Sequence, residues 1–222
     1  MLGYFKGIFK LKSTFILLYL SLFSLSLSLV RIAFTRRLMF LFLMWNLFLA
    51  FVPWLLTSFL HVRKIKNRLF FSIIIFAWII FFPNAPYILT DLIHLGKEKS
   101  VPIWFDLILL LSYGFAGLLY GFVSLNLIEI RLKEKYKASV CNVLVCVLIY
   151  VSCFGIYIGR FLRWNSWNLF TDLDSIFIDV FARVKNPAQH FTTWAFTFLF
   201  GTLLNLMYYG FKYANENDLN TV

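Results

Sequence analysis

Four polar side chains that can exchange protons or hold a ligand follow a pair of prolines, Pro83 and Pro86. They are Tyr87, Thr90, Asp91 and His94. On an α-helix these positions are i, i+3, i+4 and i+7, which predicts that all four share one face. Asp91 and His94 are the candidates for a general base, because a carboxylate and an imidazole three residues apart can share a proton or a ligand. Without a third ligand nearby, we expect no metal.

The prolines predict a break in the helix that carries these side chains. Pro83 cannot donate to the carbonyl of Ile79, and Pro86 cannot donate to that of Phe82. A proline also disfavours helical angles at the residue before it, so we expect Phe82 and Ala85 to leave the helix. Broken helices form substrate sites in transporters. Proline kinks without any such role are also common in membrane spans.

Two later segments add charged and aromatic side chains to the candidate ligand-binding residues, which also include Asn84 between the prolines. Asp106 lies near the start of one apolar stretch. The next stretch ends with two arginines, whose planar and permanently charged guanidinium groups are suited to binding phosphate or carboxylate. The residues at that end are Arg160, Arg163, Trp164 and Asn165. Two structural alternatives are a membrane-edge anchor and an ion pair of Arg163 with Asp106 or Asp91.

The composition is typical of a membrane protein. The chain has 222 residues, of which 61% are hydrophobic and 14% charged, against about 25% charged residues in soluble domains. Its formal charge of +11 lies in short clusters between apolar stretches, as loop charges near a lipid surface do. We therefore expect the lipid bilayer as a partner, and neither nucleic acid nor a cofactor. The chain has room for one integral membrane domain, 1–222.

The apolar stretches predict an all-α polytopic bundle with six spans, the third broken by Pro83 and Pro86. The spans are 13–34, 38–60, 69–90, 103–128, 139–162 and 189–211. The first stretch is too long for a signal peptide and no cleavage site follows it, so we interpret it as a retained span. Apolar residues at helical spacing over 171–185 predict an amphipathic helix at the membrane surface, with Thr171 as its cap.

The distribution of Lys and Arg predicts that both termini are cytoplasmic, although Arg36 and Arg37 count against this orientation. Alternating topology then places the polar residues of the third, fourth and fifth spans at one membrane face, as a single three-helix site. Gly117 with Gly121, and Gly155 with Gly159, have the spacing that lets helices approach closely. These glycines predict that the fourth and fifth spans pack on each other.

Three of these motifs together resemble a family of uncharacterised bacterial multi-pass membrane proteins, catalogued as domain of unknown function 1361. The matching stretches are 82–87 with Thr90-Asp91 and His94-Leu95, then 104–106, then 159–167. The resemblance extends from the second span to the sixth. It implies a multi-pass helical fold in a bacterial cytoplasmic membrane. It implies no activity, because the family has none assigned.

Three functions are consistent with the sequence. The first is binding or transport of a small anionic solute or lipid headgroup. The second is a membrane-embedded enzyme that acts on a lipid-linked substrate at the outer face, with Asp91 or His94 as general base. The third is an accessory subunit whose polar residues hold helix ends together. Polar residues at mid-membrane depth are few, and none is an acid, which counts against ion-coupled transport. They are Asn46, Asn126, Asn142 and Asn205.

Overall fold

A computed structural model describes residues 12–63, 65, 67–97, 100–164 and 171–217, and their regular structure is entirely helical. Within these residues, five helices are long and apolar enough to cross a membrane, which confirms the predicted class of fold. They are Ser13–Thr35, Leu41–Arg63, Arg68–His94, Ile103–Lys133 and Ala138–Phe161. The chain divides into two compact units, Met1–Glu134 (unit 1) and Lys135–Val222 (unit 2). That 1–222 form one domain stays a prediction.

The last predicted span, 189–211, coincides with the helix Phe191–Asn217. Its 27 residues exceed the roughly 20 that a membrane crossing needs. Several Thr and Asn residues make it less apolar than the other five helices, and it is not among the candidate spans. Its length therefore supports a sixth crossing of the membrane, whereas its lower content of apolar residues does not.

Unit 1 is built around one long central helix. Its elements are α1 (Lys12–Thr35), α2 (Leu41–Arg63), α3 (Arg68–Phe81), α4 (Asn84–Tyr87), a 3-10 helix (Ile88–His94) and α5 (Ile103–Lys133). α5 packs against α1, α2, α4 and the 3-10 helix, so that most of its side chains are buried. A helix enclosed in this way can carry polar side chains without exposing them to lipid.

α1 and α5 run antiparallel and are joined by three polar contacts, which we call the α1–α5 ladder. The contacts are Ser21 Oγ to Tyr120 Oη at 2.9 Å, Ser28 Oγ to Tyr113 Oη at 2.8 Å, and Arg31 Nε to Asp106 Oδ1 at 2.8 Å. Their partners on α5 are seven residues apart, which is about two helical turns, so all three face α1. Hydrogen bonds of this kind hold helices together where the surroundings are too apolar for a hydrophobic driving force.

The segment after α3 changes its type of helix without leaving right-handed helical geometry. Phe82 has φ −54° and ψ −42°, and Ala85 lies inside α4, so the prediction that both leave the helix is wrong. The Ala85 amide donates to Phe82 O, the acceptor that Pro86 leaves without its usual donor, and the Tyr87 amide donates to Pro83 O, both at 3.1 Å. The predicted break is therefore a transition to tighter turns, which continue as a seven-residue 3-10 helix.

Glycines of α5 allow this segment to approach the central helix closely. A Cβ added at Gly117 would lie 2.7 Å from the Ala85 carbonyl oxygen, and one at Gly121 would lie 3.0 Å from the Ala85 Cβ. A Cβ added at Gly155 would meet nothing within 4 Å. Gly117 and Gly121 therefore accommodate α4, which the sequence did not predict. That the fourth and fifth spans pack on each other stays a prediction.

Unit 2 contains α6 (Ala138–Phe161), α7 (Leu173–Lys185) and α8 (Phe191–Asn217). α6 and α8 pack side by side, with Tyr150 Oη 2.9 Å from Thr202 Oγ1 and Tyr157 Oη 3.0 Å from Thr192 Oγ1. Rings from both helices, including those of Phe154 and Phe196, fill the space between these contacts.

The amphipathic helix predicted over 171–185 is α7, and its apolar face is exposed. Phe177 and Phe181 are 62% and 65% exposed, whereas Arg183 is buried. On the opposite face Arg183 Nη1 donates to Asp179 Oδ1 at 3.1 Å, and the indole of Trp194 donates to Arg183 O at 3.0 Å. A helix that turns its polar side inward and its aromatic side outward is suited to an apolar surrounding.

The start of α7 differs from the prediction. Asp172, and not Thr171, occupies the N-cap position, and its Oδ1 accepts a hydrogen bond from the Ser175 hydroxyl at 2.7 Å. The helix ends at Asn186, as the Asn-Pro pair indicates. Boundaries of this kind shift by a residue or two without changing which face is apolar.

We expect Arg36→Gly to raise the free energy of unfolding by about 1 kcal/mol, because Arg36 closes α1 in a left-handed conformation that is costly for any residue with a Cβ. Its φ is +53°, and its amide donates to Ile32 O at 2.7 Å. A reversible SDS titration of the detergent-solubilised protein measures the change. Arg37→Gly removes the same charge without relieving a left-handed φ, so an equal gain for both variants would contradict this explanation.

Candidate functional site

Asp91 is a fully buried carboxylate in the middle of the 3-10 helix. The side-chain amide of Asn46, on α2, donates to its Oδ2 at 2.9 Å. Burying a carboxylate is unfavourable unless neighbouring groups pair with it, so this bond ties the 3-10 helix to α2. From the sequence, Asn46 was only one of a few polar residues at mid-membrane depth. In the structure it is a direct neighbour of Asp91, a candidate general base.

His94 lies between Asp91 and Lys97. Its Nε2 is 4.0 Å from Asp91 Oδ1, and its Nδ1 is 2.8 Å from Lys97 Nζ. A lysine ammonium can only donate, so Nδ1 accepts and the neutral ring carries its proton on Nε2, the nitrogen that faces the carboxylate. The ring is also in edge contact with Phe42, at 5.4 Å between centroids. These contacts hold the imidazole in one orientation beside Asp91.

The 3-10 helix rearranges the four predicted side chains. With 3.0 residues per turn, Ile88, Asp91 and His94 lie in one row, whereas Tyr87 and Thr90 lie in the next. The Thr90 hydroxyl donates to Tyr87 O at 2.6 Å, within its own row. A single face with all four side chains would need α-helical spacing, so that part of the prediction is wrong. Asp91 and His94 remain adjacent, as expected.

Asp106 forms a buried, two-point ion pair with Arg31 of α1. Arg31 Nε donates to Oδ1 at 2.8 Å and Nη2 to Oδ2 at 3.2 Å, with both side chains at most 2% exposed. The guanidinium carbon also lies 4.3 Å from the centroid of Phe40. The remaining nitrogen, Nη1, is buried and has no hydrogen-bond acceptor among the described residues. Arg31 is thus a partner of Asp106 that the sequence analysis did not consider, and the alternative of an Arg163–Asp106 pair stays a prediction.

Aromatic rings connect the Arg31–Asp106 pair to His94. The ring of Phe40, beneath Arg31, is 6.0 Å from that of Phe42, which contacts His94. The two acids and their partners therefore lie at the same end of unit 1, and we call this group the polar cluster. Its members are Arg31, Asn46, Asp91, His94, Lys97 and Asp106.

The other predicted residues have separate surroundings. The Asn84 amide donates to Phe81 O at 3.0 Å, which satisfies a carbonyl at the end of α3. In unit 2, Arg160 lies in the last turn of α6, Arg163 follows the helix with φ +63°, and the indole of Trp164 donates to Asp179 Oδ2 at 2.7 Å. Asn165 lies outside the described residues. That these residues join Asp91 and Asp106 in one site stays a prediction.

Sequence reasoning missed Arg31 and Lys97, which it counted as loop charges. A signal for Arg31 was present, because it falls inside the first predicted span, and an ionisable residue within a span marks a site by default. Ser21, Ser24 and Ser28 lie along the same side of α1, but alternating Ser and Leu residues conceal that stripe. Lys97 carries no comparable signal, since it lies in a charged loop.

The polar cluster has the groups for proton transfer and for holding an anion or a polar headgroup. It pairs a carboxylate with an imidazole, and it contains a guanidinium nitrogen to which no side chain or carbonyl of the described residues is bonded. No group of three or more His, Cys, Asp or Glu side chains able to hold a metal occurs among the described residues.

Comparison with known proteins gives a family but no characterised relative. No curated protein and no solved structure matches the chain. The family described as Protein of unknown function (DUF1361) matches residues 45–207, a range that includes Asn46, Asp91, His94 and Asp106, whereas Arg31 precedes it. Because this match covers well over half of the sequence, the chain belongs to that family of unknown function, DUF1361.

Proposed function

We propose that this protein binds the phosphate or carboxylate group of a small anionic solute or lipid headgroup at the polar cluster. The observation that carries the proposal is that Nη1 of Arg31 has no partner within the part of the chain that the structure describes. Asp106 accepts hydrogen bonds from Nε and Nη2 along one edge of the guanidinium, so that the position of Nη1 is fixed. A preoriented guanidinium is well matched to oxyanions, and leaving its donors unbound in a buried site is unfavourable.

The charge at this end of unit 1 also favours an anion. Arg36 and Arg37 follow α1 and are exposed, and Lys97 is exposed beside His94. Together with Arg31 they are four cationic side chains near two acids, Asp91 and Asp106. A net positive cluster at a membrane face raises the local concentration of anions and of anionic lipids.

Transport is the stronger form of the same proposal, and the α1–α5 ladder supports it. The hydroxyls of Ser28 and Tyr113 lie about two helical turns from Asp106, toward the middle of unit 1. Those of Ser21 and Tyr120 lie about two turns further along the same helices. These groups supplement the few mid-span amides that the sequence offers. A solute released by Arg31 would meet hydroxyl partners at successive depths.

The test compares binding by the wild type and by Arg31→Lys, which keeps the charge next to Asp106 but removes the free guanidinium nitrogen. The full chain is titrated with inorganic phosphate while its thermal unfolding midpoint is followed, since binding to the folded state raises that midpoint. In a parallel arm, native mass spectrometry counts phosphatidylglycerol and phosphatidylcholine molecules retained from mixed nanodiscs. We expect Arg31→Lys to weaken binding at least about tenfold, or 1.4 kcal/mol.

Each outcome has a defined meaning. A shift with inorganic phosphate identifies a solute site, and selective retention of phosphatidylglycerol identifies a headgroup site. Arg131→Lys, which changes an exposed pair with Glu134 at the other end of α5, is the matched control and should bind as the wild type does. Absence of binding in both arms, or equal binding by Arg31→Lys, would disprove the proposal.

A second function, an enzyme acting on a lipid-linked substrate, is favoured by the alignment of Asp91, His94 and Lys97. An imidazole beside a carboxylate on one side and an exposed lysine on the other can accept a proton at Nδ1 once the lysine no longer donates to that nitrogen. Arg31 would then hold the phosphate of the substrate. Appearance of a dephosphorylated product, when nanodiscs containing a polyprenyl pyrophosphate are incubated with the protein, would support this function over simple binding.

A further inference from the structure

The outward side of α7 carries five large apolar side chains, each between 45% and 68% exposed. They are Leu173, Phe177, Ile178, Phe181 and Val184. At 3.6 residues per turn they occupy about 140° of the helix circumference and extend over nearly its full length. A continuous apolar stripe of this kind is rarely left facing water, so it indicates a contact surface with an apolar partner.

Two tryptophans tie the opposite side of α7 to the ends of the neighbouring helices. Three residues after the end of α6, Trp164 donates its indole N–H to Asp179 Oδ2 at 2.7 Å. In the first turn of α8, Trp194 donates to Arg183 O at 3.0 Å. Asp179 and Arg183 are one turn apart and form an ion pair, so α7 is held at two successive turns. Its rotation about its own axis is thereby fixed, with the apolar side outward.

The ends of α6 and α8 that hold α7 lie at one edge of the membrane. α6 is long and apolar enough to cross a bilayer, so its last residues reach the membrane surface. The start of α8 is at the same level, because Tyr157 Oη is 3.0 Å from Thr192 Oγ1. Tryptophan is enriched where membrane and water meet, so both residues that tie α7 are of the type expected at this depth.

We propose that α7 lies along one surface of the bilayer and contacts the acyl chains of that leaflet with its apolar side. A lipid partner is favoured because this side continues an apolar surface of unit 2 that runs along a membrane-type helix. On α6, Val147 and Val151 are 52% and 63% exposed. The contact belongs to unit 2, whereas the polar cluster belongs to unit 1, so the proposal does not depend on the function proposed for that cluster.

The charged side chains of α7 are placed as a helix in the headgroup region requires. Asp179 and Arg183 are on the side that faces protein. Lys185, at the end of the helix, has its Nζ 5.8 Å from the centroid of the Phe181 ring. A lysine in this position can cover an apolar ring with its stem while its ammonium reaches a lipid phosphate. A second copy of the chain packed on the same side would have to cover that ammonium as well.

The experiment labels the full wild-type chain from the lipid. The chain is reconstituted into phosphatidylcholine nanodiscs that contain a lipid with a photoactivated diazirine in its acyl chain, either near the glycerol (shallow lipid) or near the methyl end (deep lipid). Mass spectrometry then locates the carbene adducts. We expect the shallow lipid to label Phe177 and Phe181 at least about ten times more than Ser175 and Ala182, which lie on the opposite side of the same helix.

Val151, near the middle of α6, is the positive control and should be labelled more by the deep lipid than by the shallow one. Labelling of Phe177 and Phe181 no greater than that of Ser175 and Ala182 from either lipid would overturn the proposal. A ratio of deep to shallow labelling on α7 equal to that at Val151 would also overturn it, because α7 would then lie in the hydrocarbon core. Protection from both lipids, together with crosslinks that join α7 of two copies, would identify a second copy as the partner and overturn it likewise. No residue is replaced, so misfolding of a variant cannot produce any of these results.

Discussion

Replacing Asp106 by Ala should lower the free energy of unfolding by about 3–5 kcal/mol, because it leaves the Arg31 guanidinium buried without its counter-ion. Both side chains are almost inaccessible, and Asp106 accepts two hydrogen bonds from Arg31. Reversible SDS titration or steric trapping of the detergent-solubilised chain measures the loss. Glu134→Ala, which removes the exposed partner of Arg131, is the control and should change stability by less than about 1 kcal/mol.

The double variant Arg31→Met, Asp106→Leu separates a structural role of this pair from a binding role. Replacing a buried ion pair by apolar residues of similar volume is often neutral or stabilising, so most of the loss in Asp106→Ala should be recovered. The double variant should nevertheless lose anion binding, because the free guanidinium nitrogen is gone. Full binding by a stable double variant would mean that the pair is structural and that the anion site, if any, lies elsewhere. A double variant as unstable as Asp106→Ala would show that the pair also fixes how α1 packs on α5.

Adding one methyl group at Gly117 should lower the free energy of unfolding by about 1–3 kcal/mol. The new Cβ would lie 2.7 Å from the Ala85 carbonyl oxygen and 2.9 Å from the Ile88 Cδ1. The carbonyl belongs to the backbone of α4, so it cannot move away as a flexible side chain would. The broken segment must shift from α5 as a whole.

Gly155→Ala is the matched control, since it makes the same chemical change in α6. A Cβ there meets no atom within 4 Å, and alanine favours a helix by up to about 1 kcal/mol over glycine. The two substitutions should therefore change stability in opposite directions, as read by the same SDS titration. A loss of similar size at both positions would contradict the close packing of α4 on Gly117.

The class of fold and most of its elements were predictable from local patterns. Apolar stretches of span length locate five membrane-type helices, and the 3.6-residue repeat locates α7 within two residues of its observed start. The two prolines mark where α3 ends. Asp91 and His94 remain neighbours despite the change of helix type, because residues three positions apart are adjacent in both kinds of helix. Signals of this kind depend only on neighbours along the chain.

The sequence by itself thus determined that this is a helical membrane protein with a polar segment after a proline pair. Tertiary structure alone decided that Asp106 pairs with Arg31, that Asn46 reaches Asp91, and that Gly117 faces Ala85. Each of these contacts joins residues more than thirty positions apart. Pairing in a helical bundle depends on how each helix is rotated about its axis, and that rotation is set by the packing of all its neighbours together.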